Sequence, residues 1–281
     1  VKPVEQSGLS MNYVIPRRIV HIWGKGINDL SLLSKAAVAN VRLLNTDYEY
    51  SFYDDKRIDD FINAIYPEYR NVFHSFCIPI QRYDFFRYLE VYYFGGFYLD
   101  LDVFLVSSLD DLLGFNCVFP FEELTMNIFL RHEYGMDWEI GNYAFGAAAG
   151  HPFLRAIIEN CVRAQQDPEW VQPMIRSIPR IFRDEYYAFY TTGPGLVSRT
   201  LAEFPDASSQ VRVLFPEDVC DSACWRRFGD FGVHLQLGTW RKGRGILRSG
   251  LGRLWASWRR KELLKESLRL GERRSLEFRK P

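Results

Sequence analysis

Asp100 and Asp102 stand two residues apart in the run Phe97-Tyr98-Leu99-Asp100-Leu101-Asp102-Val103, where every other side chain is apolar or aromatic. Two carboxylates this close repel, and burying either without a counter-ion costs roughly several kcal/mol, so a bound cation is the natural resolution. Oxygen ligands are hard and favour magnesium or manganese over zinc. An extended run alternates its faces, so a strand through 97–103 is predicted to carry Tyr98, Asp100 and Asp102 on one side, with Phe97, Leu99, Leu101 and Val103 on the other. Just upstream, residues 82–94 read as a helix that Gly95-Gly96 ends, and Asp84 and Arg87 share a face at i and i+3. That face is expected beside the carboxylate pair. Asp-x-Asp alone is a weak motif, common in surface turns; its apolar setting gives it weight.

The elements that must position these groups read as α/β. Residues 18–23 form a first strand, 30–45 a helix and 48–53 a second strand, a layout suited to nucleotides. A glycine-rich phosphate loop is missing, so a diphosphate must be held another way, which is work for a metal. Farther on, 109–114 is a short turn or helix and 116–121 another strand, and the small residues of 141–152 allow close backbone approach to a ligand. Segments 152–167 and 170–190 read as helices interrupted by Pro168, Pro173 and Pro179. Thr191-Thr192-Gly193-Pro194-Gly195 breaks the chain before a helix over 196–204, whose first amides are expected to face the cleft.

With 281 residues, 47% hydrophobic and 16% aromatic, the chain suits one sizeable domain with a real core and excludes disorder as its theme. Five cysteines, odd in number and mostly isolated, argue against a secreted disulfide framework and for a reducing compartment; Cys220 and Cys224 lack a second pair at zinc-finger spacing. Neither a signal-peptide pattern at residues 1–13 nor an uninterrupted apolar run of membrane length is present, so neither a leader nor a span is expected. Net charge is zero but uneven: 241–281 holds fourteen basic and four acidic residues, near +10, against a body near −10. Leu247, Leu251, Leu254, Trp255 and Trp258 share a helical stripe there, with Arg248, Arg253, Arg259 and Arg260 mostly away from it. Such a stripe reads as an anchor on an anionic membrane surface or as a face packed on the domain. Nucleic acid is not an expected partner, because no recognised module surrounds the basic residues.

In five blocks, 15–23, 84–102, 142–152, 192–194 and 234–240, the chain resembles the DXD-containing sugar transferases of glycosyltransferase family 32, and more distantly the large clostridial glucosylating toxins. The resemblance implies a GT-A fold over 1–240, a mixed central sheet flanked by helices, followed by a basic amphipathic helical tail over 241–281. It implies a retaining transferase that moves a hexose from a UDP- or GDP-sugar to a glycan or lipid-linked acceptor, with Mn2+ or Mg2+ as cofactor. Asp100, Asp102 and His234 are then the metal ligands, and Asp84, Arg87, Asp100 and Asp102 the catalytic set. His21, Trp23, Asp84, Arg87, Tyr98, Asn142, Gly193 and Trp240 are expected on the donor. Trp23 has an equal reading as a core residue, and His234, Asn142 and the Gly193 turn have structural readings too. Asp84, Glu122 and Glu123 remain as further carboxylates, none assigned as base. A non-catalytic nucleotide-sugar-binding protein and a metal-dependent phosphohydrolase are the alternatives. The expected location is cytoplasmic, peripheral on the inner membrane face, or Golgi lumenal if an N-terminal anchor belongs to a longer form.

Overall fold

The computed structural model describes residues 14–205 and 207–237, together with positions 254, 257–259 and 261–263. In chain order the main elements are β1 (Arg18–Ile22), α1 (Leu32–Leu44), β2 (Glu49–Tyr53), α2 (Asp55–Ile65), α3 (Arg70–Ser75), α4 (Pro79–Phe94), β3 (Gly96–Leu99), β4 (Val103–Leu105), β5 (Cys117–Leu124), α5 (Ile128–Tyr134), β6 (Trp138–Ile140), β7 (Ala144–Ala147), α6 (Pro152–Gln166), α7 (Pro168–Arg176), α8 (Arg183–Thr191), α9 (Pro194–Glu203), α10 (Ala207–Gln210), β8 (Arg212–Leu214), β9 (Arg227–Phe228) and β10 (Gly232–His234). Seven strands make a mixed sheet in the order β2-β1-β3-β7-β5-β6, with β8 on β5. The first three run parallel, and β7 turns the sheet antiparallel against both β3 and β5. Helices flank this sheet, which is the α/β architecture read from the sequence.

α4 is buried over most of its length, and its side chains Phe85, Phe86, Tyr88, Leu89 and Val91 are lost from solvent almost completely. A helix apolar on nearly every face belongs inside, and this one lies in the main core with Val20, Tyr98 and Phe145 of the sheet. Pro79 occupies its first turn, and Gln81 Oε1 accepts the Ile78 amide at 3.1 Å. Its end needs glycine twice. Gly95 and Gly96 have φ of 71° and 106°, and a Cβ on Gly96 would lie 2.6 Å from the Arg18 carbonyl oxygen. The charges that enter the core with this helix are paired: Arg18 Nη1 of β1 meets Glu90 at 2.5 Å.

The sheet differs from the sequence expectation at its most informative point. β3 stops at Leu99, and Asp100 to Asp102 form a turn, not a continuing strand. The Asp100 amide donates to Tyr143 O at 2.7 Å, and the Val103 amide closes the turn on Asp100 O at 3.1 Å. The chain then leaves the main sheet for a second, three-stranded one in the order β4-β10-β9. The turn lets both acids leave the apolar layers that flank them, which a straight strand between two packed faces would not. The break expected at Pro179 is present, a 3-10 turn (Arg180–Phe182) between α7 and α8, whereas Pro173 lies inside α7 without ending it.

Of the expected tail, Leu254 and Trp258 are exposed, while Leu263 is buried against Phe121, Leu124, Met126 and Trp225. Trp240, Leu247, Leu251 and Trp255 lie outside the described residues. Among the described residues no helix is long and apolar enough to cross a membrane. All five cysteines are free, with Cys117 and Cys161 buried.

Candidate functional site

β1, β2 and β3 are parallel neighbours, so their C-terminal ends share one edge of the sheet, where ligands of open α/β sheets bind. Asp100 and Asp102 follow β3 directly. β10 is laid antiparallel on β4, with His234 opposite Val103, and this register brings a histidine 132 positions away in sequence onto the turn. One ligand atom from each of Asp100, Asp102 and His234 lies within 4.8 Å of the others. His234 Nε2 is 3.2 Å from Asp102 Oδ1 and 3.9 Å from Asp100 Oδ2. The segment after β10 is fastened to the same acid: Leu235 N donates to Asp102 O at 3.0 Å and Leu237 N to Asp102 Oδ2 at 2.8 Å. The His234 ring stacks on Tyr143, centroids 4.2 Å apart, and the Tyr143 hydroxyl donates to Arg227 O at 2.8 Å, which fixes the imidazole plane.

The electrostatics separate the two acids. Burial raises the Asp100 carboxyl above its ordinary range despite the neighbouring Arg87 and His234. Burial also acts on Asp102, but the hydrogen bond and charge of His234 and the Leu237 amide outweigh it and hold this carboxyl low. His234 is shifted the other way. Desolvation would lower it, yet Asp102 and Asp100 raise it above its usual value. Two carboxylates and an imidazole converging on one point are a donor set that suits manganese or magnesium, with positions left for substrate oxygens. The charge balance agrees, since a divalent cation would offset both acids at once.

Behind this triangle lies a buried charged layer. Arg87 Nη2 is 3.0 Å from Asp84 Oδ1, and its Nη1 reaches Asn142 O at 2.9 Å and Asp100 Oδ1 at 3.4 Å. The guanidinium carbon sits 4.3 Å above the Tyr98 ring, whose hydroxyl donates to Asp100 Oδ1. Asn142 Nδ2 donates to Asp84 Oδ1 at 3.1 Å and to the Tyr88 hydroxyl at 2.7 Å, and Thr192 Oγ1 donates to Asp84 Oδ2 at 3.0 Å. Burial pushes Asp84 up to about 6, against the pull of Arg87 and Thr192. Asp84 and Arg87 are only 5% and 3% exposed and their polar atoms are already engaged. As placed, they support Asp100.

The structure therefore joins Asp84, Arg87, Tyr98, Asp100, Asp102, Asn142 and His234 into one cluster. Trp23 stands at the same sheet edge, its amide held by Tyr53 O at 2.9 Å, and its indole Nε1 is buried without a partner. His21, two residues earlier, is fully buried beneath the Tyr50 ring, Nδ1 3.0 Å from the Tyr50 hydroxyl; desolvation lowers its pKa to about 3. Gly193 lies at the start of α9, but its amide donates to Ala188 O at 2.9 Å. The residue before it, Thr192, is the one that reaches the cluster. Thr192, Tyr88 and Tyr143 were not singled out by sequence. Each nevertheless lies in one of the resembling blocks, Tyr88 in 84–102, Tyr143 in 142–152 and Thr192 in 192–194.

Comparison with known proteins agrees with this geometry. Residues 33–119, which include α4 and the Asp100–Asp102 turn, match the family described as "Glycosyltransferase sugar-binding region containing DXD motif". The chain is 28% identical over 183 residues to inositol phosphoceramide mannosyltransferase 3 of Schizosaccharomyces pombe, an alignment covering 62% of this chain and 43% of that protein. It is 28% identical over 182 residues to an uncharacterized glycosyltransferase of Acanthamoeba polyphaga mimivirus, covering 64% of this chain and 68% of the relative. The chain thus spans less than half the length of the yeast relative. Among solved structures, the PaToxG glycosyltransferase superposes with a TM-score of 0.46 at 15% identity, over 68% of this chain and 70% of that one. With an aspartate pair in the matched DXD region and mannosyltransferases among the proteins it is similar to, the chain resembles the DXD-containing glycosyltransferases over that part of its length.

Proposed function

We propose that this chain is a retaining, divalent-metal-dependent glycosyltransferase that moves a hexose from a UDP- or GDP-sugar to a glycan or lipid-linked acceptor. The observation that carries the reading is the convergence of Asp100, Asp102 and His234 at the sheet edge with Arg87 directly behind them. Asp100, Asp102 and His234 would hold Mn2+ or Mg2+, which when bound supplies Lewis-acid stabilisation for the departing diphosphate. Asp102, kept ionised by His234 and the Leu237 amide, is the ligand fixed most firmly in place. Arg87 and Tyr98 aim Asp100, and Asp84, Asn142 and Thr192 hold Arg87 in turn; these five are positioning residues. Trp23, directly after β1 on the same sheet edge, would meet the donor's base by stacking. Retention is what the family resemblance supports, and the fission-yeast relative's name favours a mannose donor as the first to try.

The test is release of nucleoside diphosphate from a panel of UDP- and GDP-sugars in the presence of Mn2+. One donor should turn over, and Asp102→Ala should lower that turnover at least a hundredfold together with Mn2+ affinity. Equal turnover in Asp102→Ala, or indifference to a chelator, would defeat the reading.

A further inference from the structure

A cavity of about 320 Å³ opens beside the metal triangle, among Glu122, Glu123, Trp225, Arg226, Gln236 and Lys261. Its volume is at the low end of small-molecule sites, enough for one ring-sized ligand. The wall it shares with the triangle is short and specific. Gln236 lies between the two residues whose amides are bonded to Asp102, and Arg226 O accepts the His234 amide at 2.8 Å. Among the described residues, Arg226 and Gln236 are the two non-glycine residues with positive φ, 66° and 51°. Each therefore carries a backbone cost that its surroundings must offset. Both sit on the lining of this cavity. On the inner wall the Glu122 carboxylate takes the space that Gly141 leaves open: a Cβ there would lie 2.5 Å from Glu122 Oε2 and 2.6 Å from the Tyr143 ring, the ring stacked on His234. The outer wall comes from the C-terminal piece, through Ser257 and Lys261, and Leu263 anchors that piece in the apolar cluster around Trp225.

The polar lining is balanced, with two carboxylates, one guanidinium, one ammonium and one amide. Hydroxyl groups both donate and accept, so a polyol can satisfy both signs of charge at once. A phosphate-bearing ligand would meet Glu122 and Glu123 as like charges. We infer that this cavity is the acceptor subsite and takes a neutral hydroxyl-rich ring, a hexose or cyclitol unit, with Glu122 and Gln236 presenting one hydroxyl toward the metal triangle, where its oxygen bonds to the donor's anomeric carbon as the bond to the diphosphate breaks and the hydroxyl proton leaves with that diphosphate, and with Lys261 closing the outer side. The inference rests on the glycosyltransferase reading above and adds the location and chemical class of its second substrate.

The experiment measures transfer and donor hydrolysis together, with methyl α-mannoside, methyl α-glucoside, myo-inositol and mannose 1-phosphate as acceptor probes. Glu122→Gln and Gln236→Ala should lower the transfer-to-hydrolysis ratio at least tenfold through a raised acceptor KM. Lys261→Ala, at an exposed position where folding is not at stake, should lower it severalfold. Saturation-transfer NMR in the absence of donor should detect a neutral probe on the wild type and lose it in Glu122→Gln. Donor hydrolysis with an unchanged transfer ratio in all three variants would overturn the subsite, as would preferred transfer to mannose 1-phosphate. If no donor turns over at all, the glycosyltransferase reading fails; the NMR result then decides the cavity alone, with probe binding lost in Glu122→Gln supporting a polyol site and no binding of any probe overturning it.

Discussion

Arg87→Met removes the cation 3.0 Å from Asp84 and leaves that carboxyl in a site nearly closed to solvent. The consequence can be worked out through proton linkage. A carboxyl whose folded pKa lies above its unfolded value loses stability as pH rises between the two values, at about 1.4 kcal/mol per unit, and loses nothing further once ionised. In the wild type this loss runs from the unfolded value of 3.8 up to about 6 and then stops. Without Arg87, whose charge lowers it, the Asp84 pKa rises further, so the loss continues where the wild type is already flat. The stability gap between the two proteins should therefore be constant below pH 6 and widen above it, at up to about 1.4 kcal/mol per pH unit until Asp84 ionises in the variant as well. A pH-independent part of about 1–3 kcal/mol accompanies it, from the lost hydrogen bond to Asn142 O and the lost stacking on Tyr98. Glu90, pushed up by burial to about 7, and Glu139, to about 8, titrate in the same range in both proteins and cancel in the difference. Asp100, 3.4 Å from Arg87 but more exposed, adds a smaller contribution of the same sign. Urea unfolding at pH 6, 7 and 8 with chelator present reads the gap directly. Asp84→Asn combined with Arg87→Met should remove most of its pH dependence. A gap that does not change with pH, or a slope that survives in the double variant, would refute the account.

Further outcomes follow from the same geometry. His234 is held above its usual pKa by Asp102 and Asp100, so its pairing stabilises the metal-free fold below about 6.5 and that stabilisation is lost as pH rises through the folded value; the same proton competes with a metal. Mn2+ affinity, measured by EPR of the free ion, should therefore fall by up to about tenfold per pH unit on acidification below the folded pKa, and His234→Asn should weaken binding and flatten that dependence. Glu139 is buried, accepts from Thr125 Oγ1, and is raised by desolvation to about 8, so stability is lost as pH rises from its unfolded value of 4.5 through that range. Glu139→Gln should leave stability at pH 5 nearly unchanged and raise the melting temperature at pH 8 to 9, by roughly a few kcal/mol in free energy; equal melting at both pH values would count against it.

The parts of this site that were legible in sequence are those whose signal is local. Asp100 and Asp102 stand out because acids are costly in an apolar run, Asp84 and Arg87 because three residues separate them on a helix, and Gly95-Gly96 because helix ends favour positive φ. The first strand, helix and second strand followed from periodicity in the same way. What could not be read depends on long-range pairing. Thr192 reaches Asp84 across 108 residues, and the short block 192–194 that contains it does not reveal that pairing. Tyr143 becomes part of the site only because β7 and β10 both approach the turn, and His234 was reached by resemblance, since one histidine in an apolar segment is as well suited to a core. The period-two pattern over 97–103 is real, yet it cannot distinguish a strand that continues from one that turns out of the sheet at Asp100. Hydrogen bonds from Asp100 N to Tyr143 O and from Val103 N to Asp100 O decide that, and neither partner pattern is written in the local residues.

The manner in which the triangle closes has a consequence for folding. Asp100 and Asp102 are placed by β3 and α4, whereas His234 is delivered by a three-residue strand whose register is fixed by β4 and whose continuation is bonded to Asp102 itself. The third residue of the proposed metal site is therefore in place only when β10 is docked. Without a metal, the His234–Asp102 contact at 3.2 Å and the two amides on Asp102 hold it there. A bound divalent cation would add to that docking, because a ligand that binds only the closed arrangement stabilises it by mass action. The same segment carries Gln236 into the neighbouring cavity, so closing β10 completes the metal site and one wall of the cavity in a single step.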